Sequence, residues 1–221
     1  AIEQQKTVIK LLKDKNYKSE HSKECIRETI TYRYFILAGL YRNAGMPEQA
    51  GLALIEGFND PAGKKHFEYA LNAGRDFLNA QKTDLAESAF RDALSVADNS
   101  KAVWAMQGRW KALLTEGRSN LVIAELEEAE KKLKSISEPK VARSYRTAMK
   151  EVYEQIGLKG RAANLQKQMD DNHCPVCGTD NDVIRIIYGY VEHAPPGVAL
   201  GGCCIEPDSP HWWCTKDKVS F

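Results

Sequence analysis

Three short stretches late in the chain hold five of its six cysteines, the residues best able to bind a metal ion or attack an electrophile. "HCPVCGTD" places Cys174 and Cys177 two residues apart with Gly178 behind them. That is the spacing of a zinc knuckle: two thiolates reach one ion while the glycine permits the tight backbone turn. "HWWCTKDK" supplies Cys214 and then Asp217 in the slot of a fourth thiolate. A carboxylate is an acceptable zinc ligand at about 2.0–2.2 Å, although structural sites favour Cys and His. Asp217 keeps the knuckle spacing and is the first choice of fourth ligand. Cys203 or Cys204 in "GGCC" is the alternative, since the paired glycines let the backbone come close. His173 and His211 are weaker candidates, because their neighbours already fill the ligand positions. The expected cofactor is one structural zinc ion on Cys174, Cys177, Cys214 and Asp217.

Catalytic readings of the same residues fare less well. "CPVC" has the form of a thiol redox pair, but that chemistry needs its first cysteine at a helix N-terminus after a strand, where the helix dipole lowers the thiol pKa. Here the motif follows a helical run and precedes a strand-like one. Cys203 or Cys204 could take His193 or His211 as a base, yet no third group is evident to orient the pair. No catalytic residue is expected, and a thiol-dependent redox enzyme is the second alternative function.

The elements that must position the metal ligands are short strands. Residues 182–191, 197–202 and 211–216 alternate apolar and polar residues or are rich in aromatic and branched ones, between Gly- and Pro-containing turns. A β module of this size, residues 173–221, buries too little apolar area to fold without a metal or a docking surface. Its elements in order, Cys174 and Cys177, Tyr188-Gly189, Gly201-Gly202-Cys203 and Trp212-Trp213-Cys214, resemble a zinc-ribbon-like segment found in uncharacterised bacterial proteins. The resemblance implies a metal site with Asp217 replacing the last cysteine, and it brings no activity with it.

Upstream, residues 1–172 read as helices joined by tight turns, with Pro47, Pro61 and Pro139 at helix starts. The segments 47–58, 84–94, 120–130 and 159–169 align, placing Ala50, Ala86, Val122 and Ala162 in equivalent slots at a nearly constant interval. Gly74 and Phe77 followed by Ala86, Phe90 and Ala93 alternate small and bulky residues as two closely packed helices require. This pattern resembles the tetratricopeptide repeat over about residues 27–170. Trp110 and Lys150 stand where the third and fourth units want a small residue. The expected fold is mainly α. Domain 1–172 holds a capping helix region (1–26) and four helix pairs (27–170), and a small antiparallel β zinc-ribbon-like module (173–221) follows.

If the repeat alignment holds, Arg42, Asn43, Arg75, Asn79 and Lys111 project from the first helices of the pairs into a groove that suits a protein or peptide of acidic character. The whole chain has a net charge of +1, but residues 173–221 carry three Lys/Arg against six Asp/Glu, the wrong sign for phosphate. Nucleic acid is therefore not an expected partner, and a nucleic-acid-binding regulator is the first alternative function. No apolar run approaches the roughly 20 residues of a membrane span. Clustered cysteines without an export signal point to metal binding in a reducing, cytoplasmic compartment. The expected role is that of a protein-interaction adaptor.

Overall fold

The computed structural model describes residues 1–14, 20–61, 65–169, 173–189, 193, 195–206 and 209–221, with residues 20–24 as backbone alone. Among the described residues the helices are α1 (Ile2–Lys13), α2 (Glu20–Asn43), α3 (Pro47–Asn59), α4 (Phe67–Asn79), α5 (Thr83–Val96), α6 (Asn99–Thr115), α7 (Ser119–Leu133), α8 (Pro139–Gln155) and α9 (Lys159–Lys167). Four strands follow: β1 (Val183–Ile187), β2 (Val198–Leu200), β3 (Trp212–Cys214) and β4 (Val219–Ser220). Two compact units are present, Ala1–Val122 and Ile123–Phe221, so the strands share a unit with α8 and α9.

Why the chain folds back so regularly is visible at the ends of α2, α4, α6 and α8. Residues 45, 81, 117 and 157 adopt positive φ (71°, 58°, 73° and 82°). Next to each, a backbone N–H reaches back to close the last turn: Met46 to Tyr41 O, Lys82 to Phe77 O, Arg118 to Leu113 O and Leu158 to Tyr153 O. These are Schellman caps, which satisfy carbonyls that the helix itself leaves open. Three of the four positions are glycine, for which the left-handed conformation is free of strain, and the other is Gln81.

In the first unit each helix from α1 to α6 packs on the next, and α4 also touches α6. This neighbour-on-neighbour packing is that of a helical repeat. The repeat slots Ala50 and Ala86 are fully buried, as are Val122 at the unit's edge and, within the second unit, nearly Ala162. The small-residue slot of α6 is held by Gly108, not Trp110. A Cβ at either Gly74 or Gly108 would collide with the Phe90 ring, so that ring is seated between the two glycines. Trp110, 1% exposed, is instead a core residue two positions further on.

The sheet has the order β2-β1-β3-β4. β1 pairs with β3 and β3 with β4 antiparallel, whereas β1 and β2 are parallel, with Arg185 opposite Val198 and Ile187 opposite Leu200. The expectation of a wholly antiparallel sheet is corrected. A two-residue hairpin cannot join parallel neighbours such as β1 and β2. The predicted strand over 182–191 is β1 as far as Ile187, and residues 190–191 lie outside the described ones.

Candidate metal centre

Two tight turns face each other where the sheet meets the segment after α9. In the first, Gly178 N–H donates to Cys174 O at 2.7 Å and Gly178 has φ +71°, so the chain reverses and turns Cys174 and Cys177 inward. In the second, which links β3 to β4, Lys218 N–H donates to Cys214 O at 2.9 Å and Lys218 has φ 57°. The second turn thus repeats the backbone of the first with Asp217 in the place of Cys177. Val176 N–H points at Cys174 Sγ and Asp217 N–H at Cys214 Sγ, both at 3.4 Å. Such amide contacts stabilise sulfur carrying negative charge.

The ligand atoms of Cys174, Cys177, Cys214 and Asp217 all lie within 4.8 Å of one another, close enough to hold one metal ion. Asp217 Oδ2 accepts from Cys174 Sγ at 3.2 Å and from Cys214 Sγ at 3.3 Å. Thiolates about 2.3 Å from a tetrahedral ion stand about 3.8 Å apart, so an ion would draw the group together only slightly. Cys174 and Cys214 are fully buried. Burial pushes the Cys174 thiol well above its ordinary pKa, assisted by the Asp217 carboxylate, and does the same for Cys214. Burial also acts upward on Asp217, but hydrogen bonds from the Cys177, Cys174 and Cys214 thiols outweigh it and hold the carboxyl below its usual range. Burial thus favours the neutral form of the Cys174 and Cys214 thiols, while the Asp217 carboxylate is held ionised.

The alternative fourth ligands lie elsewhere. Cys203 and Cys204 are exposed and outside the group of four, with their Sγ atoms 3.6 Å apart. His173 is buried beside the first turn with Nε2 3.8 Å from Asp180, and His211 is exposed. Cys25 is exposed on α2.

Sequence reasoning missed Arg146. This α8 residue is 2% exposed, and its guanidinium grips the first turn from behind. Nη1 donates to Pro175 O, Nη2 to Val176 O at 2.6 Å and Nε to Gln168 Oε1 at 3.1 Å. Both carbonyls belong to residues between the two cysteines, so the arginine fixes the loop that aims them. The signal was present: Ala142, Arg146, Met149 and Tyr153 form one buried stripe at helical spacing, and a lone charge in such a stripe needs a buried partner.

The expected groove residues belong to the first unit. Asn43, Arg75, Asn79 and Lys111 are exposed on α2, α4 and α6. Arg42 is corrected: its Nε and Nη2 clamp both oxygens of buried Asp76 at 2.8 Å, tying α2 to α4 instead of standing free. The same helices expose Tyr32 (63%), Phe35 (40%) and Trp104 (53%). Phe35 lies 5.9 Å from Tyr69, and Phe67 lies 6.4 Å from Trp104, ring centre to ring centre. Among the described residues no helix is long and apolar enough to cross a membrane. The chain matches no protein-family profile, no curated protein and no solved structure.

Proposed function

We propose that the protein is a non-catalytic interaction adaptor of tetratricopeptide-like type, whose helical face binds an acidic protein segment and whose zinc-ribbon-like module is held by one structural zinc ion. The observation that carries the adaptor reading is the exposed face of α2, α4 and α6. Exposed Trp104 stands two helical turns before the cation Lys111 in α6, Arg75 and Asn79 lie near the end of α4, and Phe35 and Asn43 are exposed on α2. Exposed aromatic side chains on α2 and α6 thus accompany the exposed amides Asn43 and Asn79 and the exposed cations Arg75 and Lys111. Such a face fits an extended or helical segment that offers apolar anchors and carboxylates. The four-ligand set supports zinc, since thiolates select that ion and a closed set of four is structural rather than catalytic. A buried thiol with raised pKa is the opposite of what a redox nucleophile uses. A reducing, cytoplasmic compartment suits the free thiols.

Elemental analysis of protein purified without added metal or chelator tests the zinc reading. One zinc per chain, lost on Asp217→Ala and kept on Cys203→Ala, is the expected result, and absence of zinc from the wild type would overturn it. The adaptor reading is tested on an array of peptides with graded acidity and aromatic content. Binding that grows with acidity and falls about tenfold or more on Trp104→Ala and on Lys111→Glu is expected, as hot-spot truncations cost about 1–2 kcal/mol or more. Binding indifferent to both substitutions would dismiss the face.

A further inference from the structure

A second site lies within the unit Ile123–Phe221, lined by none of the four metal ligands. A cleft of about 1120 Å³ opens between the first turns of α8 and the sheet. Its walls carry Lys140 and Arg143 from α8, Arg185 from β1, and His211 and Trp212 at β3. Lys140 and Arg143, three residues apart, share one helix face. Arg185 and Trp212 are directly opposed across the β1/β3 ladder and so share one sheet face. That face also carries Cys214, two residues along β3. Glu138 is the one acidic side chain lining the cleft among the described residues.

The two arginines Arg143 and Arg185 differ from most of the other arginines among the described residues. Arg42, Arg91, Arg109, Arg118 and Arg161 are engaged by carboxylates, and Arg146 by carbonyls. The side chains of Lys140, Arg143 and Arg185 have no ion-pair or hydrogen-bond partner among the described residues, and Arg143 and Arg185 are exposed. Concentrated, unneutralised cations beside a low-dielectric wall create a potential that draws anions in. The floor is apolar, with Met169, Pro210 and the half-buried Trp212 ring. A simple anion would use the cations and leave this floor bare. A flat ring joined to a phosphate would use both, the ring stacking on indole and the phosphate accepting from guanidinium groups.

We infer that this cleft binds a nucleoside phosphate, either free or as a unit of a single strand. The volume slightly exceeds the usual upper bound for small-ligand pockets, about 1000 Å³, which leaves room for either source. Counting charge along residues 173–221 hides the site, because Lys140 and Arg143 come from a helix well upstream of that segment. The inference is independent of which ion the cysteines hold.

The test uses the full zinc-loaded chain at about 50 mM salt, where phosphate contacts are strong. Binding of adenosine 5′-monophosphate is followed by calorimetry and that of a fluorescein-labelled decauridylate by anisotropy, with inorganic phosphate as competitor. Expected is binding of at least one nucleotide probe, with phosphate a much poorer competitor than the monophosphate. The pair Arg143→Gln and Arg185→Gln should weaken it at least tenfold, and for the strand should flatten the slope of log K against log salt by about 1.4, two contacts at about 0.7 each. Trp212→Leu should weaken it about tenfold, one lost stacking contact. The pair Lys159→Gln and Lys167→Gln, equal in charge change and exposed on α9, should leave it within about twofold. Binding of the monophosphate alone assigns the free nucleotide, and of the strand alone the polymer. Failure of both probes, equal competition by phosphate, or equal weakening by the α9 pair would overturn the inference. Should Trp212→Leu fail to fold, as a melting curve would reveal, the exposed arginine pair still decides.

Discussion

Arg146 bears directly on the charge balance of the proposed zinc site. With zinc bound as proposed, three thiolates and one carboxylate would bring four negative charges against the ion's two positive ones, and the buried guanidinium, which holds the Pro175 and Val176 carbonyls, would offset part of the excess. Arg146→Gln should therefore lower zinc affinity about 10–100-fold in a chelator competition, the usual cost of losing an outer-shell partner. Arg146→Lys should recover little of it, because one ammonium cannot serve both carbonyls and Gln168 with the geometry of a fork. Unchanged affinity in both would reduce the arginine to packing. Proton release gives an independent check at the same scale. In the metal-free protein burial keeps the Cys174 and Cys214 thiols protonated at neutral pH, while Asp217 is already ionised. Metal uptake must therefore expel thiol protons, and apparent affinity should rise with pH through the neutral range. Calorimetry in buffers of different ionisation enthalpy reads that release, and a pH-independent affinity would contradict it. The cluster of Cys174, Cys177, Cys214 and Asp217 was legible because knuckle spacing is a local property of the chain. Arg146 was legible only as a lone charge in an apolar stripe of α8, since its partners are backbone carbonyls that no side-chain pattern announces.

Among the elements, the four Schellman caps make a prediction about one residue. Gln81 adopts the left-handed conformation that glycine holds at 45, 117 and 157, with φ 58°. Gln81→Gly should raise stability by about 0.5–1 kcal/mol, seen as a higher melting temperature, because it removes strain from a conformation the cap demands. The reverse holds in α6: Gly108→Ala should cost about 1–3 kcal/mol by driving a methyl group into the Phe90 ring, despite alanine's better helix propensity. The nearly constant interval from Ala50 to Ala86, Val122 and Ala162 was readable in the sequence and recurs in the caps at 45, 81, 117 and 157. Transferring its first step to the small-residue slot led to Trp110, because α6 runs two residues further beyond its slot glycine than α4 does. The slot itself recurs from Gly74 to Gly108, a step equal to the tetratricopeptide period of about 34 residues. The direction of β2 was not readable at all. A strand of three residues has too little alternation to fix either partner or sense, and only the tertiary connection decides.

At the scale of the molecule, the division into Ala1–Val122 and Ile123–Phe221 says where metal removal should be felt. Chelation should raise amide hydrogen exchange across residues 173–221 and leave α2 to α6 protected, because their core of Ile30, Leu54, Phe77 and Phe90 is complete within the first unit. Loss of protection throughout the helices would contradict this. Charge, like the slot spacing, reads differently along the chain and in space: the acidic balance of the tail is true of the sequence, and the cationic wall facing Trp212 is true of the fold. The grip of Arg146 on the first knuckle also bears on what can be transplanted. A piece cut to run from Cys174 to Asp217 would contain every ligand and lack the group that aims two of them, so the smallest portable form of the centre begins upstream, in α8.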